Sequence, residues 1–203
     1  SVDPCLITSW TTLNATRLNL TAYYLLTVNL SSFDDDYAGI GDNWNPIGGQ
    51  GFFGSAGPFY GSFNGNDNTI SDLIVNKPGQ TYTGFFSYAV GNISNIGFKN
   101  ASIVGGNYTS GLGYISSSSI INNTYFVGNV VGGFRSGILV SYGAPSPINS
   151  YYDIDNSTFN GNISLGRRGI YDSQFNDWLS NGKSLSIDNY FSKSGDYYLL
   201  NNI

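Results

Sequence analysis

One numerical coincidence constrains this chain more than its composition does. Gly84 and Gly111, Ile93 and Ile120, Phe98 and Tyr125, and Gly106 and Gly133 are each 27 residues apart. A looser third copy opens at Gly137-Ile138-Leu139 and reaches Ile148 and Tyr151-Tyr152. A partial copy, Gly61-Ser62-Phe63 followed by Ile70, Leu73 and Val75, precedes them. Short runs of β-branched and aromatic residues fill each copy, and Gly, Asn or Ser bounds each run, as short strands joined by turns require. A period in the twenties with several strands per repeat is the spacing of a solenoid. One turn of such a coil cannot bury its own apolar side chains. Stacking turns at the ~4.8 Å strand spacing pairs each backbone with the coil above and below and aligns equivalent side chains into ladders. A β-sandwich also has short strands and Gly-rich turns, but it does not predict matched Gly, Ile and Gly-Gly positions at one offset. The expected fold is all-β: a right-handed parallel β-helix over residues 23–165, an irregular N-terminal cap over 1–22 and a C-terminal extension over 166–203.

Several stretches resemble the Gly-Leu-any-Gly (GLUG) repeat proteins, a group of secreted and surface proteins. Tyr24-Leu25-Leu26-Thr27-Val28-Asn29-Leu30 looks like their opening strand, and Trp44-Asn45-Pro46-Ile47-Gly48 like their Trp-x-Pro-Ile-Gly signature. Phe59-Tyr60-Gly61-Ser62-Phe63-Asn64-Gly65-Asn66 and Thr69-Ile70-Ser71-Asp72-Leu73 complete the specific part. Gly84-Phe85-Phe86 and Gly111-Leu112-Gly113 stand at the glycine-flanked motif, although Phe86 and Gly137-Ile138-Leu139 lack its closing Gly. The resemblance spans residues 20–165. It implies a right-handed β-helix in extracellular adhesins, surface layers and large secreted proteins, and it transfers no catalytic residue.

Charged residues are only 10% of the chain, with 8 basic and 13 acidic side chains, so neutral hydrogen-bonding residues must cover its surface. The acidic balance argues against nucleic acid, since no basic patch exists to displace phosphate counterions. There is no His, which removes the commonest general base and metal ligand. No cofactor is expected, and the chain reads as a non-enzyme. Cys5 is the only cysteine, so no intrachain disulfide forms; a buried or capped thiol is expected, with an interchain bond as the alternative. No apolar run approaches the ~18 residues that span a bilayer. Ser1 is compatible with removal of a signal segment.

Asn-x-Ser/Thr sequons begin at Asn14, Asn19, Asn29, Asn92, Asn100, Asn107, Asn122, Asn156 and Asn162. This is a modest excess for so Asn-, Ser- and Thr-rich a chain, and the motif has many false positives. Asn107 and Asn156 are favoured for glycosylation by turn-like surroundings, while others are candidates for unmodified ladder positions. Asp34-Asp35-Asp36, with Asp42 nearby, is a Ca²⁺ candidate but reads better as a solvated loop. Asp153 and Asp155 would share a strand face, as a hydrolase pair can, yet no acidic residue or Arg stands at the matching positions of the earlier copies. Tyr114, Tyr142, Tyr151 and Tyr152 are candidates for exposed aromatics that bind glycans or contact neighbouring subunits. Residues 172–179 read as a short helix or loop. The closing stretch, with Tyr197, Tyr198, Leu199, Leu200 and Ile203, repeats Tyr23-Tyr24-Leu25-Leu26 and has no coil after it. It is a candidate subunit contact through strand addition. Together these features point to an extracellular structural protein, self-associating or one module of a longer surface protein. An adhesin that binds glycans or surfaces, and a polysaccharide-active enzyme, are the alternatives.

Overall fold

In a computed structural model, the chain is described over residues 3–49, 57–162 and 168–183, and as backbone over 191–194 and 197–200. It forms a right-handed parallel β-helix of about four turns. The strands are β1 (Cys5–Ile7), β2 (Tyr23–Leu26), β3 (Ser62–Asn64), β4 (Thr69–Ser71), β5 (Ile74–Asn76), β6 (Phe86–Ala89), β7 (Asn92–Ser94) and β8 (Gly97–Val104). They continue as β9 (Gly113–Ile115), β10 (Ile121–Asn122), β11 (Tyr125–Val131), β12 (Tyr151–Asp153), β13 (Thr158–Phe159), β14 (Gly169–Ile170), β15 (Phe191–Ser194) and β16 (Tyr197–Leu200). Among the described residues two α-helices accompany them, α1 (Trp10–Asn14) and α2 (Asp172–Ser180).

Three parallel faces enclose the core. The first stacks β1-β2-β3-β7-β10. The second stacks β14-β12-β11-β8-β4, with β5 also on β8 and β13 on β11. The third pairs β6 with β9. Phe63, Phe85, Phe86, Phe98 and Phe126 fill the interior, each at most 1% exposed. Trp44 stacks on Phe85 with ring planes 3° apart, and its indole N–H donates to the Phe85 carbonyl at 3.0 Å. Burying each such side chain contributes roughly 1.5–3 kcal/mol. At the N-terminal end, Ser9 and Thr12 form a capping box for α1, whose Trp10 and Leu13 are buried. Trp10 meets Trp44 edge-on at 6.4 Å.

The repeat is real, but its register corrects two of the sequence matches. Ile93 pairs with Ile121, not Ile120, and Phe98 pairs with Phe126, not Tyr125. The β7–β10 pair and the start of β8–β11 run at an offset of 28 (126 minus 98), and the rest of β8–β11 runs at 27 (128 minus 101). The difference is absorbed where Lys99 and Asn100 lie opposite the single residue Val127, with Asn100 in the left-handed region at φ 50. A one-residue slip moves side chains to the other face. Ile120 is accordingly exposed, while Ile121 is buried.

Cys5 is exposed rather than buried. It aligns with the buried Tyr24, but β1 is the edge strand of its face and β2 is its sole partner there. The closing strand β16 is not orphaned: it pairs antiparallel with β15, Tyr197 opposite Ser194 and Leu200 opposite Phe191. Ile203 lies outside the described residues.

Candidate functional site

The coil corner after β5 recurs after β8 and β11, and it has an unusual feature. Gly106 N donates to the Gln80 carbonyl at 2.9 Å and Gly133 N to the Gly106 carbonyl at 2.7 Å, so the three turns stack. The Thr83 hydroxyl donates to the Gln80 carbonyl at 2.8 Å, and Thr109 repeats this with Gly106 at 2.9 Å. In the third turn Ser136 N reaches the Gly133 carbonyl at 3.4 Å. The third residue of each turn is left-handed: Tyr82 at φ 61, Tyr108 at φ 54 and Arg135 at φ 61. Bulky residues rarely adopt this conformation, which costs roughly 1–2 kcal/mol each. The geometry thus holds two rings and a guanidinium in one outward column.

A second column lies beside it. Tyr88 pairs in register with Tyr114 across β6 and β9. Tyr142 follows on the next coil, where its backbone N–H donates to the Arg135 carbonyl at 2.9 Å. The columns interlock, with ring centroids 4.4 Å apart for Tyr82–Tyr114, 5.1 Å for Tyr88–Tyr114 and 5.2 Å for Tyr82–Tyr108. The Arg135 guanidinium lies 4.9 Å from the Phe134 ring and 4.7 Å from the Tyr142 ring, and donates to the Tyr108 hydroxyl at 2.7 Å. Phe134 and Tyr142 are 65% and 66% exposed. Partial burial pushes the Tyr114 phenol up, and Tyr82, Tyr88 and Tyr108 add to this, with Arg135 opposing. The Tyr114 hydroxyl therefore remains a neutral donor at neutral pH.

Of the aromatics expected to be exposed, Tyr114 and Tyr142 belong to this face. Tyr151 and Tyr152 do not: they are 1% and 2% exposed. Tyr152 points into the core, and α2 covers Tyr151, with Trp178 edge-on at 5.1 Å. Sequence reasoning missed Tyr82, Tyr88, Tyr108, Phe134 and Arg135. A signal was available in Gln80-Thr81-Tyr82-Thr83, Gly106-Asn107-Tyr108-Thr109 and Gly133-Phe134-Arg135-Ser136, where a hydroxyl residue closes each turn.

The sequons fall into distinct classes. Glycosylation replaces one Nδ2 hydrogen and leaves Oδ1 as an acceptor. Asn14, Asn19, Asn29, Asn92 and Asn107 use Oδ1, accepting from Arg17, Thr21, Thr69, Ile120 and Phe134. Each is compatible with a sugar on nitrogen. Asn100 Nδ2 donates to Asp72 at 2.7 Å, and Asn162 Nδ2 to the Asn160 carbonyl at 3.2 Å. Asn122 is half-buried. Asn156 spends both amide hydrogens, on Asp153 at 2.8 Å and Asp172 at 3.3 Å. Among the described residues, an asparagine ladder runs through none of these positions. Asn95 Nδ2 donates to Asn64, Asn123 to Asn95 and Asn149 to Asn123, at 3.1, 3.0 and 2.7 Å. The indole N–H of Trp178 closes it on Asn149 Oδ1 at 2.9 Å.

Asp34, Asp36 and Asp42 of the first acidic cluster are spent on the backbone. Asp34 accepts from Ser31 N at 2.8 Å and Asp42 from Gly39 N at 2.7 Å. Asp36 accepts from Trp10 N and Thr11 N at the start of α1. Burial would raise the Asp36 carboxyl, but bonds from Thr11, Ser9 and Trp10 outweigh it and hold it below the ordinary range. Among the described residues no group of three or more acidic, His or Cys side chains is placed to hold a metal. Asp153 is 2% exposed and accepts from Asp155 N and Asn156 N. Burial pushes its carboxyl up, against bonds from Asn156 and Asp155 that pull it down, and Asp172 adds to the rise. Asp155 accepts from Asp172 N at 2.8 Å, at the first turn of α2. Asp155 therefore anchors the start of α2, while Asp153 is buried and held by the turn at Asp155 and Asn156.

These features define the class: a right-handed parallel β-helix whose outer surface carries an aromatic, singly cationic strip. No protein-family profile matches the chain. Over 125 residues it is 33% identical to Halomucin of Haloquadratum walsbyi (strain DSM 16790 / HBSQ001), a stretch that is 58% of this chain and 1% of Halomucin. Among solved structures it is similar to a protein of Bacteroides ovatus provisionally assigned as an immunoglobulin A1 protease. The TM-score is 0.52 at 26% identity, covering 77% of this chain and 48% of that one. The chain thus spans about half the length of that structure and a very small part of Halomucin. No helix among the described residues is long and apolar enough to cross a membrane.

Proposed function

We propose that this chain is a non-catalytic, carbohydrate-contacting module of an extracellular or cell-surface protein, N-glycosylated on part of its sequons. The observation that carries the reading is the pair of outward aromatic columns, Tyr82 and Tyr108 beside Tyr88, Tyr114 and Tyr142. Tyr142 is exposed and Tyr82, Tyr88, Tyr108 and Tyr114 are half-buried, so the face offers ring surface and polar tips together, which suits the mixed surface of a sugar. The likeness to Halomucin and to GLUG repeat proteins supports placement in a longer surface protein. A glycan array probed with the purified chain tests this. Binding should fall when Tyr108→Ala and Tyr142→Ala are combined, and an array with no binder would sink the reading. Burial of Asp153 in its own turn and use of Asp155 on the start of α2 support the non-catalytic part; release of reducing ends from polysaccharides by the pure chain would contradict it.

A self-associating filament or surface-layer subunit is the second reading. Its expected support, an unpaired closing strand, is weakened by the β15–β16 pairing. What favours it is the open edge of β1, where Leu6 is 56% exposed. Electron micrographs of native material distinguish the two, since filaments would be visible directly.

A further inference from the structure

We infer that the aromatic face takes an acidic polysaccharide and that Arg135 recognises its carboxylate or sulfate. The inference rests on the carbohydrate-contacting reading and adds the charge class of the ligand. Three observations carry it. First, Arg135 is an exposed cation with no carboxylate partner in any hydrogen bond or ion pair among the described residues, in a chain with 13 acidic and 8 basic side chains. Second, its guanidinium is oriented without being neutralised. Phe134 and Tyr142 flank it at 4.9 and 4.7 Å, and one N–H is spent on the Tyr108 hydroxyl. Four of its five donors remain for a planar or tetrahedral anion. Third, it holds a left-handed backbone at φ 61, where strain is tolerated in a column that otherwise carries tyrosines.

Stacking rings and a cation also suit single-stranded nucleic acid. That ligand places a charge on every nucleotide, however, and needs a basic groove. Here a single Arg stands in the strip of a chain with net charge -5. A polymer read mainly through ring faces, with an acidic group meeting Arg135, fits better.

The test uses the whole chain and four probes: a hexamer of galacturonic acid, its methyl ester, a sulfated neutral hexamer and a single-stranded oligothymidylate. At 0.1 M salt the uronate or the sulfated hexamer should bind about five- to tenfold tighter than the methyl ester. Raising the salt should shrink that margin. Arg135→Asn removes the guanidinium and leaves a residue at ease in the left-handed region. It should weaken binding of the acidic hexamer more than that of the methyl ester, so that the margin disappears. If neither the uronate nor the sulfated hexamer binds the unaltered chain tighter than the ester does, the inference is overturned, as it is by an Arg135→Asn variant that keeps the preference. Tighter binding of the oligothymidylate, or a dimer in sedimentation that Tyr142→Ala dissociates, assigns the face to another occupant and also overturns it. If neither hexamer nor ester binds, the carbohydrate reading itself has failed, a distinct result.

Discussion

Asn122 and Asn123 are adjacent, yet the structure gives them opposite weight. Asn123 donates to Asn95 at 3.0 Å and accepts from Asn149 at 2.7 Å, and it is left-handed at φ 50. The Asn122 side chain has no ladder bond. Asn123→Ala removes two side-chain bonds worth about 1 kcal/mol each and leaves their partners half-satisfied. It also places a Cβ without a compensating amide in the left-handed region, which costs about 1 kcal/mol more. The total is about 3 kcal/mol. Asn123→Gly escapes the backbone term and should cost about 2 kcal/mol, whereas Asn122→Ala should stay within about 0.5 kcal/mol. Urea denaturation followed by circular dichroism, comparing midpoints at a common slope, measures all three. If Asn123→Ala and Asn122→Ala came within about 0.5 kcal/mol of each other, the ladder would contribute nothing. If the Gly and Ala variants matched, the left-handed component would be refuted.

Further outcomes follow from single contacts. A Cβ on Gly91 would lie 1.6 Å from the Gly61 carbonyl oxygen, backbone against backbone between coils. Gly91→Ala should therefore cost at least about 3 kcal/mol, while Gly79→Ala, with open space around it, should be near neutral in thermal melts. Asp153 has a folded pKa raised by burial. The folded state thus holds its proton more tightly than the unfolded chain, and this contribution to stability grows as pH falls from neutral towards the ordinary carboxylate range. Asp153→Asn lacks it, so the stability of the wild type relative to the variant should rise between pH 7 and about 4.5 in paired denaturation curves. Peptide mapping by mass spectrometry of material from a glycosylating host should find Asn107 occupied and Asn156 bare, because a sugar on Asn156 would break a bond to Asp153 or Asp172.

The coil was legible because its cause is local and repeated. Gly106 and Gly133 meet at the offset their spacing predicts, and Trp44, Phe63, Ile70 and Leu73 all enter the core. Register was misread by one residue at Ile120 and Tyr125, since the longer link between β9 and β10 and the bulge at Asn100 offset each other and leave the 27-residue spacing intact on either side. Tyr151 was misread for a different reason. Its burial depends on Phe175 and Trp178 of α2, which arrive from outside the repeat. Cys5 was misread because strand parity says which way a side chain points and not whether another coil lies beyond it. The tyrosine columns were hidden because a left-handed corner normally announces itself as Gly or Asn, and here it is Tyr, Tyr and Arg.

Helix α2 also sets a rule for how this architecture can be lengthened. A duplicated coil inserted before β11 would add one rung of asparagine, one left-handed corner and one pair of rings, all in phase with their neighbours. The same duplication after β12 would separate Trp178 from Asn149 and from Tyr151, which it currently seals. The molecule is therefore elastic in copy number through its middle and inelastic where α2 is latched. Variation in the number of coils among related proteins should concentrate upstream of that latch.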